Sequence, residues 1–93
     1  MAKLTGTIRI TTHAATDTAS AHYEVVFLPY HGKVNGNTLR PKSLEELVSV
    51  LTQARLQEDE ATRWAGKART EGVVLIAGVE RSEAQLRDAG LLA

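Results

Sequence analysis

The chain contains no cysteine, which removes disulfides, thiolate nucleophiles and cysteine-ligated zinc from the chemistry open to it. Aromatic residues are scarce, with only Tyr23, Phe27, Tyr30 and Trp64 to add bulk to a core. A long apolar run is missing too. The longest, residues 73–77, is far too short to cross a bilayer. The first residues (Met1, Ala2, Lys3, Leu4, Thr5, Gly6) lack the apolar stretch of a secretion signal. These absences give the expectation of a cytoplasmic protein without a membrane partner.

Charge of one sign is also lacking, since 11 basic residues meet 11 acidic ones. The two signs are not evenly spread. Residues 1–43 carry five basic and two acidic side chains, and residues 44–93 carry six and nine. Solvated faces of ordinary elements account for such a split. A nucleic-acid binder usually shows a stronger basic footprint.

What remains is 93 residues, enough for one domain and one core. Hydrophobic residues make up 43%, but thirteen of them are alanines, which bury little area. A thin core favours self-association, and a homodimer is the default form.

Periodicity supplies the elements. Leu4, Ile8 and Ile10 alternate with Thr7, Arg9 and Thr11, predicting a half-exposed strand over residues 5–12, near a sheet edge. A small-residue loop follows, longer than a tight hairpin. A second strand spans residues 22–28, with Tyr23, Val25 and Phe27 on one face and Val26 and Leu28 on the other. Apolar residues on both faces predict cover on both. Pro29 ends it, for want of an N–H. Asn35-Gly36 suggests a type I′ turn joining a short arm of residues 30–34 to residues 37–39.

Ser43 and Glu46 form a capping box ahead of a helix carrying Leu44, Leu47, Val48 and Leu51, to about Arg55. A second helix is expected over residues 59–70, with Ala61, Trp64, Ala65 and Ala68 on a narrow face and Gly72 as its stop. The two are separated by a break near residues 56–58. Residues 73–77 read as a continuous buried strand. A last helix is capped by Ser82 with Gln85, and ends at Gly90 with Leu91 folding back on Leu86. The fold class is α+β: a small mixed or antiparallel sheet of three to four strands with three helices, in the order β-β-(β)-α-α-β-α.

Four chemistries can be set against this frame. His13 and His22 flank the first loop and could approach each other, with Asp17 as an oxygen ligand. No third fixed ligand is evident, so they read as surface or loop histidines and no metal or other cofactor is expected. Gly78, Arg81 and Ser82 pass from strand to helix start, where backbone N–H groups could hold an anion. There is, however, no phosphate-loop motif. Lys33, Arg40 and Lys42 form an acid-free basic loop that could contact nucleic acid beside Tyr30 and His31. No serine sits in a nucleophile pattern, and the carboxylates cluster at helix starts, so nothing recommends an enzyme.

Association is the strongest of the readings, with Tyr23, Val26, Leu28 and Trp64 as the expected interface. The function expected is therefore a protein-interaction or small-ligand-binding module that self-associates. A small enzyme or anion-binding domain built on residues 78–82, or a weak nucleic-acid binder through Lys33, Arg40 and Lys42, are the alternatives.

Overall fold

Alternating isoleucines draw the first segment into a strand, β1 (Lys3–His13), in the computed structural model, which describes residues 3–93. Met1 and Ala2, the start of the stretch read for an export signal, lie outside the described residues. β1 pairs antiparallel with β2 (His22–Pro29) on one side and with β3 (Val73–Ser82) on the other. The sheet order is β2-β1-β3. The first strand is therefore central, not at an edge as its polar face suggested. That polar face comes from one side of the sheet being uncovered, which marks a layer boundary and carries no information about position in the sheet.

The described residues also form three helices: α1 (Leu44–Gln53), α2 (Glu58–Glu71) and α3 (Glu83–Asp88). The fold is α+β, in the order β-β-α-α-β-α. Ser43 accepts from the Glu46 N–H at 3.1 Å, as expected of a cap. The Glu46 carboxylate reaches one residue further back, to the Lys42 N–H at 2.8 Å. Arg55, at φ 71°, turns the chain between α1 and α2. Ser82 and Gln85 form the full reciprocal capping box of α3. Its far end closes with Leu91 N–H to Leu86 C=O and Gly90 N–H to Arg87 C=O, the Schellman pattern.

One core holds these elements together. Ile8, Ile10, Val25, Phe27, Val74, Ile76 and Val79 from the sheet meet Leu47, Leu51, Ala61, Ala65, Ala68 and Leu86 from the helices. Alanines on α2 let that helix come close to the sheet. The Thr12 hydroxyl, on the covered face of β1, donates to the Ala68 carbonyl at 2.7 Å and ties the two elements together. Because α3 joins this same core, it gives no cover to the opposite face. The molecule is a slab of two layers, 43 × 28 × 19 Å.

Two further expectations are corrected. β3 is not buried on both sides: Val74 and Ile76 face the core, whereas Val73 and Leu75 are exposed. A run of five apolar residues hid an ordinary two-faced strand. The arm around Asn35-Gly36 does not form either, and neither residue takes positive φ. Its backbone groups bond elsewhere, with Leu39 pairing to Val25 and Gly36 bridging to Leu92. Leu39 and Pro41 thereby occupy the outer edge of β2, through Val25 N–H to Leu39 C=O at 2.9 Å and Tyr23 N–H to Pro41 C=O at 2.8 Å.

Candidate functional site

A sheet strand sends successive side chains to opposite faces, so every core residue of β1–β3 has a neighbour on the far side. Those neighbours are Thr5, Thr7, Arg9, Thr11 and His13 from β1, His22, Glu24, Val26 and Leu28 from β2, and Val73, Leu75 and Ala77 from β3. Among the described residues no helix packs on them. Leu75 is 58% exposed, Val73 52% and Leu28 38%. Cross-strand register sets Arg9 between Val26 and Leu75, and Thr11 between Glu24 and Val73. The centre of the face is thus a single cation flanked by aliphatic side chains.

Each end of this surface is closed differently. At one end the register slips between Gly6 and Ile8, so that Thr7 opposes both Ala77 and Gly78. This is a β-bulge, and Gly78 takes φ 70° there, a conformation that glycine adopts without steric cost. The bulge shifts the alternation by one, which is why Val79 returns to the core. Tyr30 reaches across the bulge. Its phenol oxygen accepts from the Thr7 hydroxyl at 3.3 Å and from the Gly78 N–H at 2.8 Å. Both donors favour the phenolate, Thr7 more than Gly78, and they hold the Tyr30 pKa below the ordinary tyrosine value.

At the other end, the β1–β2 hairpin sets His13 directly opposite His22. Their rings stack at 4.8 Å between centroids, 15° from parallel. Glu24, two residues beyond His22 on the same face, places a carboxylate oxygen 3.0 Å from His13 Nε2. One ligand atom from each of the three residues lies within 4.8 Å of the other two. His22 Nδ1 donates to the Ser20 carbonyl at 2.9 Å. A carbonyl can only accept, so this bond fixes which ring nitrogen carries the proton.

The expected site residues fall in several places. Of the four interface residues, Val26 and Leu28 lie on the open face. Tyr23 and Trp64 pack half-buried against the core on the helical side, and Lys67 Nζ stands 5.2 Å from the Trp64 ring centre. Gly78 belongs to the bulge, five residues before α3 begins, and so is not at a helix start. Arg81 spends its guanidinium on the carbonyls of Ala54 (2.7 Å), Glu80 (2.6 Å) and Arg55 (3.3 Å), while Ser82 is engaged as a cap. Arg40 and Lys42 line a shallow groove with His22 and Ser20, whereas Lys33 lines another with Glu83 and Arg87. The three cations therefore do not form one stripe.

His13 and His22 do meet, but the third member is Glu24, and Asp17 is not part of the group. The signal for Glu24 was present in the period of two, because residues 22 and 24 share a strand face. Val73 and Leu75 were also missed, through the reading of β3 as doubly buried, and Tyr30, expected beside the basic loop, is bonded to Thr7 and Gly78 at the bulge. The chain matches no family model, no curated protein and no solved structure.

Proposed function

We propose that this protein is a self-associating interaction module whose working surface is the uncovered sheet face, and that the occupant of that face is a second copy of the chain. The observation that carries the reading is the exposure of Leu75, Val73 and Leu28 together on one side of a sheet whose other side is fully packed. Apolar side chains exposed on one face, here in two strips on either side of the row Thr7, Arg9 and Thr11, mark contact sites on proteins.

Size supports a copy of the same chain as the partner. The accessible surface is 5771 Å², against roughly 5,300 Å² for a folded monomer of this mass. The surplus matches a two-layer slab with one face unpacked. Three strands about 4.8 Å apart and about ten residues long give a plan area of roughly 450–500 Å². Side-chain relief raises the accessible area above that, toward the low end of stable interfaces at about 600 Å² per partner. Face-to-face packing of two sheets about 10 Å apart would give a four-layer dimer with helices outside. Zero net charge sets no overall repulsion against it.

Solution mass measured by light scattering from about 10 μM to 1 mM tests this. The mass should rise toward twice 10.1 kDa with concentration. Val26→Asp or Leu75→Asp should hold it at the monomer value without loss of helical signal. Trp64→Ala, on the helical side, should leave association intact. A wild-type protein that stays monomeric at the highest concentration would refute the reading.

A further inference from the structure

We infer that His13, His22 and Glu24 form a binding site for a borderline divalent transition-metal ion of the zinc, nickel or copper class. All three side chains come from one hairpin of one chain, at one end of the open face, so the site needs no residue from a second copy.

Three observations converge on it. First, the donor set is two imidazoles and one carboxylate, a combination that suits these ions and discriminates against magnesium and calcium, which prefer all-oxygen sites. Second, the protein already provides the outer support that a histidine ligand requires. The Ser20 carbonyl takes the His22 Nδ1 proton and so leaves the Nε2 lone pair for a metal, the usual way a ligating ring is oriented. Third, His13 Nε2 is shielded from solvent and makes no hydrogen bond. The Glu24 oxygen lies only 3.0 Å away, but off the direction in which a ring N–H would point. A shielded nitrogen without a partner is costly, and a shared ion would satisfy both it and the carboxylate.

The spacing is close to what coordination needs. Zn–N and Zn–O bonds of about 2.0–2.1 Å place tetrahedral ligand atoms about 3.3 Å apart. Binding requires the present spread of up to 4.8 Å to close and the stacked rings to rotate so that their nitrogens converge, a movement open to side chains that are only partly buried. Three protein ligands leave a fourth position for water or an anion. Arg40 and Lys42 share the neighbouring groove with His22. Their charge opposes every divalent cation alike, so the two imidazole donors must supply the affinity, and it favours an anion as the fourth ligand.

Zinc, nickel and magnesium chlorides added separately to the full chain, read by calorimetry and by melting temperature, test the proposal. Zinc should bind at one ion per chain and raise the melting temperature by at least about 5 °C at hundredfold excess over its Kd. Nickel should do likewise, and magnesium should not. His13→Ala and His22→Ala should each weaken zinc binding at least tenfold, as should Glu24→Gln, while His31→Ala should bind as the parent does. Circular dichroism checks that the variants remain folded, and His22→Gln, which keeps a polar side chain of similar length without an imidazole nitrogen, serves if His22→Ala does not. Zinc binding that survives loss of either histidine, or an equal response to magnesium, would overturn the site.

Discussion

The two faces of the sheet come from the same three strands, yet they do different work. On the covered face, Ile8, Ile10, Val25, Phe27, Val74 and Ile76 are nearly or wholly removed from water. On the open face Leu75, Val73, Leu28 and Val26 are equally apolar but lack a partner layer within the chain. Apolar character alone thus does not identify a core. Burial depends on whether a helix, or another molecule, is present to exclude water. The covered face supplies the stability of the fold, and the open face is the surface left for recognition.

Neighbouring residues on β2 offer the sharpest way to separate those roles. Phe27→Ala should cost about 3–5 kcal/mol of unfolding free energy, because it opens a cavity in the packed core. Leu28→Ala, one residue on and facing the other way, should cost less than about 1 kcal/mol in a dilute monomer. Chemical denaturation of both variants checks this, and similar losses would break the distinction between the faces. The bulge that shifts one side to the other comes next in size. Gly78→Ala has open space for its methyl group but must hold φ 70°, a conformation that costs about 1–2 kcal/mol for other residues. The same denaturation series measures it.

The smallest effect concerns Tyr30. In a Tyr23→Phe background, ultraviolet titration should place the Tyr30 phenol below its ordinary value, and Thr7→Val should move it back up. Because the folded pKa is lowered, the linked stabilisation is present above the unfolded tyrosine value and is lost as pH falls through the folded one. It contributes nothing near neutral pH. A Tyr30 that titrates as free tyrosine would dissolve the latch over the bulge.

Much of this architecture was legible in the sequence, and the reasons are local. The caps at Ser43 and Ser82, the stop at Gly72 and the Schellman ending at Gly90 each depend on a few adjacent residues, and each is found where the sequence placed it. What could not be read depends on which distant segment becomes a neighbour. Residues 73–77 are apolar at every position, so composition could not separate Val74 and Ile76 from Val73 and Leu75. The polar face of β1 was taken as a sign of an edge when it marks an open layer. Residues 30–39 carry a turn signal at Asn35-Gly36, but β2 and the chain's last residues compete for their hydrogen bonds and win. The His13–His22 approach was foreseeable from the hairpin, yet the ligand completing the cluster emerged only once the register was fixed.

Gly78 has one further implication, for how this strand tolerates change in length. A strand writes its inside and outside in a code of period two, and the bulge acts as a single inserted character that moves the frame. Upstream of it the even-numbered residues Val74 and Ile76 face inward, and downstream the odd-numbered Val79 does. Deleting that one residue would remove the inserted character and restore strict alternation, with Ala77 alone opposite Thr7 and Val79 still opposite Gly6. Glu80 would stay opposite Thr5 and Ser82 opposite Lys3, so β3 can lose its extra residue with every later side chain on the same face, whereas a residue added or removed at a paired position would flip them. Substitution at this point is a question of strain, but deletion is a question of grammar.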